Sequence, residues 1–120
     1  MQKNLNDRTK KISLDIIHLI EILPKNIAAS VIAKQLVRSA TSVGANYRAT
    51  RRARSDKEFI AKMRVVLEEA DECSFWLELI AEKKWISTEI INSALKESNE
   101  LTAIFVSTLK SIYARMNKAK

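Results

Sequence analysis

Glycine and proline are almost absent from this sequence. Its 120 residues include one glycine, Gly44, and one proline, Pro24. Because β-sheet proteins place such residues at nearly every hairpin turn, two of them cannot supply a sheet fold. Hydrophobic residues make up 47% of the chain, which is enough for a core and argues against disorder. We therefore expect one all-helical (all-α) domain that spans residues 1–120.

Histidine and cysteine each occur once, as His18 and Cys73. A lone cysteine excludes an intrachain disulfide. One histidine cannot complete a di-iron carboxylate site, which needs a Glu-x-x-His motif on two helices. A single glycine also excludes the phosphate-binding loops of P-loop and Rossmann proteins. These absences exclude several common catalytic and metal-binding motifs, so we expect neither a bound metal nor a cofactor.

Long apolar runs are missing as well. The first eleven residues are polar and basic, unlike the start of a signal peptide. No segment approaches the roughly 20 apolar residues that a membrane span needs. Together with the unpaired cysteine, this pattern favours a cytoplasmic protein that has no membrane partner.

Apolar residues recur at helical spacing in four segments of the chain. Pro24 should end the first helix because proline lacks an amide donor. Ser55 is suited to cap the third helix, with Glu58 at the spacing of a capping box. The predicted helices cover residues 6–23, 27–52, 56–84 and 88–116. Short connections make neighbouring helices antiparallel, so we expect an up-down-up-down antiparallel four-helix bundle.

The third segment has the most regular apolar pattern, with spacings that alternate between four and three as in a heptad seam. The seam consists of Phe59, Met63, Val66, Ala70, Cys73, Leu77 and Ile80. In the second segment, Gly44 costs about 1 kcal/mol relative to alanine within a helix. We expect another backbone to come close at this glycine. The fourth segment has two adjacent apolar stripes, one that includes Ile90 and one that includes Ile91.

Three apolar residues of the third helix lie off its seam. At about 100° per residue, Val65, Trp76 and Leu79 should project outward on one side of the helix. A strip of large apolar side chains on an outer face is typical of an interface. We therefore predict that Val65, Trp76 and Leu79 form a homo-oligomer interface, and the alternative is that the chain termini fold over this strip.

Positive charge is concentrated in the first half of the chain. The net charge is +7, and residues 1–54 carry eleven Lys or Arg against three Asp or Glu. The densest group is Arg48, Arg51, Arg52, Arg54 and Lys57. This group, the cationic patch, predicts binding of RNA or DNA through phosphates, although a solvated face explains many charge runs equally well. Tyr47 could stack on a base, but it continues the apolar stripe of its helix, which favours a place in the core.

Clustered acidic residues support a competing interpretation. The cluster consists of Glu68, Glu69, Glu72, Glu97 and Glu100. It weakly resembles the pattern of the all-helical nucleoside-triphosphate pyrophosphohydrolases, in which carboxylates of two helices hold Mg²⁺ against a triphosphate. Glutamates three or four residues apart are also common on any solvated helix.

Residues 35–80 resemble a known family. The segment reads QLVRSATSVGANYRATRRARSDKEFIAKMRVVLEEADECSFWLELI and is similar to the signature of bacterial four-helix bundle proteins encoded in 23S rRNA intervening sequences. The accessory variability determinant proteins of diversity-generating retroelements are relatives of that family. Many members have Ala-Glu where Tyr47 and Arg48 stand, so this patch is more basic. The resemblance implies a ring-like homo-oligomer such as a pentamer, without enzyme activity.

These observations predict a non-enzymatic, oligomeric helical scaffold that binds nucleic acid (RNA or RNA/DNA) through backbone contacts of the cationic patch. One alternative is an accessory factor that binds a polymerase or a reverse transcriptase, as the resemblance to the retroelement proteins implies. The other alternative is the Mg²⁺-dependent pyrophosphohydrolase.

Overall fold

Four helices account for most of the chain. A computed structural model describes residues 4–118. The helices are α1 (Leu5–Glu21), α2 (Ile27–Thr50), α3 (Asp56–Lys83) and α4 (Thr88–Lys118), and residues 4–118 contain no strand. Each helix packs against the next, and α4 returns beside α1 to give a rod of 54 × 21 × 21 Å. The predicted all-helical fold class is confirmed.

The helix ends follow the capping residues of the sequence. The Asn26 side chain accepts a hydrogen bond from the amide of Ala29 at 2.8 Å and caps α2. The hydroxyl of Ser55 accepts from the amide of Glu58 at 3.1 Å and caps α3. Lys84 ends α3 in the left-handed conformation, with φ 57°. The predicted helix boundaries are therefore confirmed to within two residues.

The core lies along the seam of α3. Six of the seven predicted seam residues are buried, and Phe59 is half-buried. In α4 both stripes contribute to the core, since Leu101 and Phe105 are each buried, whereas Ile90 at the start of its stripe is 43% exposed. The hydroxyls of Ser74 and Ser98 lie 2.6 Å apart across the α3–α4 contact, so this polar pair is satisfied inside the apolar core.

Gly44 lies at a close approach of α1 and α2. A Cβ atom at this position would be 3.3 Å from the carbonyl oxygen of Thr9 and 3.2 Å from the hydroxyl of Ser13. That hydroxyl lies 2.9 Å from the Thr9 carbonyl oxygen and 3.0 Å from the Ala40 carbonyl oxygen. The predicted close approach of two backbones at Gly44 is confirmed.

None of the helices within residues 4–118 combines the length and the apolar character that crossing a membrane requires.

We predict that Gly44→Val destabilises the bundle by about 2–3 kcal/mol, since the added methyl groups must displace the backbone of α1. The measurement is the urea midpoint of unfolding, with the slope checked for two-state behaviour. Ala103→Val, at an exposed position of α4, is the control and should change stability by less than about 1 kcal/mol. Equal effects of the two changes would contradict the close approach.

Candidate nucleic-acid interface

The cationic patch lies at one end of the rod. It covers the last turns of α2, the connection to α3 and the first turn of α3, and all five of its side chains are exposed. Helix reversal brings the start of α1 and the end of α4 to the same end of the bundle. The structure thus places all five predicted residues at one end of the bundle.

Most of the patch is free of ion pairs. Arg54 approaches the carboxylate of Glu58 at 3.6 Å, and its side chain remains 87% exposed. Within residues 4–118, the cations of Arg48, Arg51, Arg52 and Lys57 have no carboxylate at salt-bridge distance. The end of the rod therefore carries four cations whose charge is not locally neutralised.

Antiparallel packing extends the patch beyond its contiguous sequence. Lys10 of α1 and Arg48 of α2 line the same shallow groove, whose floor includes Gly44 and Ala45. On the other side, Arg115 of α4 lies beside Arg54 in a second groove and pairs with Asp56 at 3.0 Å. Sequence reasoning left Lys10 and Arg115 out of the patch, because only helix pairing brings these distant positions together.

Tyr47 belongs to the packed interior at this end. Its ring centroid lies 6.0 Å from that of Phe105, and the side chain packs against the buried core. Burial raises the pKa of the Tyr47 phenol, and the nearby charge of Arg51 partly opposes that shift. The preferred interpretation of Tyr47 as a core residue is confirmed, and this ring is not an exposed platform for a base.

The predicted acidic cluster separates into two ion-paired groups. Arg38 of α2 pairs with Glu69 at 3.1 Å and with Glu72 of α3. On the other side of the bundle, Arg8 of α1 forms a two-pronged pair with Glu97 of α4, with N–O distances of 2.6 and 2.9 Å.

The other two residues of the predicted acidic cluster do not bring these two groups together. Arg8 also reaches Glu100 at 3.2 Å, whereas Glu68 is exposed outside both groups. Among residues 4–118, no three His, Cys, Asp or Glu side chains lie close enough together to hold a metal ion. The carboxylates join adjacent helices through arginines, and the geometry does not form the paired-helix site that the pyrophosphohydrolase interpretation required.

The predicted oligomer interface is only partly exposed. Val65 is 39% exposed, while Trp76 and Leu79 are half-buried. Trp76 packs against the core and donates its indole N–H to Glu72 at 3.2 Å, so it does not project fully outward as predicted. Sequence reasoning missed Phe75, which is 51% exposed with its ring centroid 5.0 Å from that of Trp76.

Cys73 lies in the seam and is 1% exposed. Burial raises the pKa of its thiol to about 11. A thiol that stays protonated is a poor nucleophile, so this residue serves packing. His18 is exposed on α1, 3.7 Å from Glu21, which agrees with its position on the flank of the first apolar stripe.

Comparison with known proteins identifies the family. The family model described as 23S rRNA-intervening sequence protein matches residues 3–107. The chain belongs to this family. A crystal structure of a protein of unknown function from the S23 ribosomal protein family of Bacteroides thetaiotaomicron VPI-5482 is 33% identical to this intervening-sequence family member. The match has a TM-score of 0.80 and covers 88% of this chain and 97% of the other. No curated protein matches the sequence.

We predict that the Arg38–Glu72 contact makes the stability of this intervening-sequence family member depend on acid pH. Burial alone would raise the pKa of Glu72, but hydrogen bonds from Trp76, Arg38 and Ser39 lower it below its ordinary value of 4.5. A carboxylate with a lowered pKa stabilises the folded state above its unfolded pKa, and this contribution is lost as pH falls through the folded pKa.

The measurement compares urea midpoints of the wild type and Glu72→Gln at pH 7 and pH 3. The variant should be less stable at pH 7, and the difference should shrink at pH 3. Glu68→Gln, at an exposed position without an ion pair among the described residues, should behave like the wild type at both pH values. A difference that stays constant with pH would show that the Glu72 charge is not stabilising.

Proposed function

We propose that this protein is a non-enzymatic, oligomeric scaffold that binds RNA through its phosphate backbone. The observation that carries the proposal is the contrast between two sets of arginines. Arg8, Arg38 and Arg115 pair with carboxylates of adjacent helices. Across residues 4–118, Arg48, Arg51 and Arg52 have no such partner and are exposed together. Cations grouped at one end without counter-charges suit a polyanion.

The chemistry of the patch supports backbone contacts over base recognition. The planar guanidinium donates two parallel hydrogen bonds to one phosphate, which fixes orientation but carries no sequence information. The nearby aromatic ring of Tyr47 is packed against Phe105 and does not offer a stacking surface. Binding should therefore be salt-dependent and tolerant of sequence.

Among the possible polyanions, we favour RNA because of the family to which the chain belongs. The description of the matching family refers to 23S rRNA, and the single-stranded loops and irregular helices of structured RNA present phosphates at varied angles to an exposed basic surface. Duplex DNA offers the same charge and is the natural competitor in a binding assay. The role as accessory factor of a reverse transcriptase stays a prediction from sequence resemblance, as does the cytoplasmic location.

Self-association would strengthen RNA binding if a single cationic patch binds weakly. Val65 and Phe75 are exposed, and Leu79 and Trp76 lie beside them on the outer side of α3. We propose that the predicted Val65, Trp76 and Leu79 surface joins copies of the chain, in a ring such as a pentamer. Several patches on one assembly raise the effective concentration of cations near one RNA and increase avidity without new contacts.

We predict that replacing Arg48, Arg51 and Arg52 with Glu abolishes RNA binding without unfolding the bundle, because the three side chains are exposed. The measurement is fluorescence anisotropy of a labelled structured RNA over a range of salt concentrations. Affinity should fall by more than tenfold at low salt, and the slope of log affinity against log salt should decrease in magnitude by about two.

The matched control replaces Lys25, Lys34 and Lys96 with Glu. These exposed cations lie away from the patch, and the change in net charge is the same. Similar losses for both triple variants would mean that net charge alone attracts RNA. Unchanged affinity of the Arg48, Arg51 and Arg52 variant would show that the patch is not the binding surface.

We predict that Val65→Glu with Leu79→Glu dissociates the oligomer, because two carboxylates would be buried at the contact without partners. Light scattering should report a mass well above the chain mass of 13.7 kDa for the wild type and a mass near it for the variant. Leu14→Glu, at a 47% exposed position of α1, is the control and should leave the mass unchanged. A wild-type monomer at high concentration would refute self-association.

A further inference from the structure

An arginine and a tyrosine form an exposed contact between α3 and α4 that lies outside the cationic patch. The guanidinium carbon of Arg64 lies over the ring of Tyr113, 5.8 Å from the ring centroid. Both residues are exposed, and Tyr113 is 37% exposed. A cation within about 6 Å of an aromatic ring is attracted to the face of the ring. The contact therefore holds a guanidinium plane and an aromatic ring together at the surface.

Arg64 is turned toward this ring although a carboxylate follows it on the same helix. Glu68 comes four residues later, which is a spacing at which ion pairs form within a helix. Within residues 4–118, however, neither Arg64 nor Glu68 forms a salt bridge. The charge of Arg64 is therefore not locally neutralised, as is also true of most of the cationic patch.

The contact lies at the cationic end of the rod. Arg115 in the last turn of α4 pairs with Asp56 in the first turn of α3 at 3.0 Å, which joins the two helix ends. Tyr113 precedes Arg115 by two residues. Lys57 lies two turns before Arg64 on the same side of α3, about 10 Å away along the helix axis. The ring and its guanidinium are therefore neighbours of the cationic patch.

We propose that Arg64 and Tyr113 form a stacking platform for an unpaired base of the RNA that the cationic patch binds. This inference rests on the proposed RNA-binding function and adds its substrate class, which is single-stranded RNA or a loop in preference to a duplex. Unpaired bases stack on aromatic rings and on guanidinium planes, whereas the bases of a duplex are already stacked on one another. The cationic patch supplies the phosphate contacts of the same strand.

The surroundings of the platform favour a nucleotide over an apolar protein partner. Lys110 lies one turn before Tyr113 on the same side of α4 and is exposed. A single ring among cations offers little apolar area for a protein interface, but stacking needs only one ring or one guanidinium plane for each base. Stacking also accepts every base, which agrees with binding that is tolerant of sequence.

The test compares the affinities of three labelled nucleic acids by fluorescence anisotropy. The first is a single strand of about ten uridines, which is within the site size of single-strand binding proteins. The second has the same ribose-phosphate chain without bases, and the third is an RNA duplex of the same length. We expect the wild type to bind the uridine strand about fivefold or more tightly than the base-free strand, because only the uridine strand can stack.

Tyr113→Ala removes the ring from the platform. It should weaken binding of the uridine strand by about fivefold or more and leave the affinities for the base-free strand and the duplex within about twofold of the wild type. Tyr113→Phe keeps an aromatic ring and should bind like the wild type. Ile90→Ala is the matched control, because it removes an exposed apolar side chain near the other end of α4, and it should leave all three affinities unchanged.

Arg64→Lys tests the guanidinium separately, since lysine keeps the charge but lacks the plane. The side chain is exposed, so the change should not unfold the bundle. Binding of the uridine strand should weaken by about twofold or more, while the base-free strand should be bound as by the wild type.

The outcomes distinguish this inference from the proposed function. Equal wild-type affinities for the uridine strand and the base-free strand would overturn the platform but leave phosphate binding by the cationic patch in place. Full affinity of Tyr113→Ala for the uridine strand would do the same. Equal losses for both strands in Tyr113→Ala would also overturn it, because the ring would then act only through packing of α4. A wild type that binds none of the three nucleic acids would overturn the proposed function as well.

Discussion

The buried seam of α3 is the constraint on which the rest of the molecule depends. Its apolar residues are covered by α2 on one side and α4 on the other, and buried residues of α1 complete the same core. Because this interior is filled with apolar side chains and a few paired hydroxyls, charged groups are confined to the outside. The charged groups that could bind a partner therefore lie on the surface of the bundle.

Charge on those surfaces is sorted by position. Along the sides of the rod, Arg8 and Arg38 each join two helices through paired carboxylates. Such pairs are partly exposed and contribute modestly to stability, but they fix the lateral order of the helices. At the end of the rod, Arg48, Arg51 and Arg52 have no such partner among residues 4–118, although Arg115 there pairs with Asp56. The same residue type thus holds the fold together in one place and offers charge to a partner in another.

Much of the fold could be predicted from the sequence because helix periodicity and capping are local properties. The seam of α3, the cap at Ser55 and the close approach at Gly44 depend on residues within a few positions of each other or on simple steric limits. The exposure of Ile90 could not be predicted locally, because this residue fits the same helical period as the buried Leu101 and Ile112. It depends on how far the neighbouring helices α1 and α3 cover the start of α4, which is decided by packing.

The sequence by itself determined four amphipathic helices, their order and a concentration of positive charge near residue 50, since these follow from composition and spacing. Only the tertiary structure decided which charges are neutralised. Arg8 and Glu97 are 89 residues apart in the chain, and Arg38 and Glu72 are 34 apart. These pairs join different helices and depend on distances of a few ångströms in space, so no pattern along the chain reports them. Helix packing therefore divides the arginines into paired and unpaired groups.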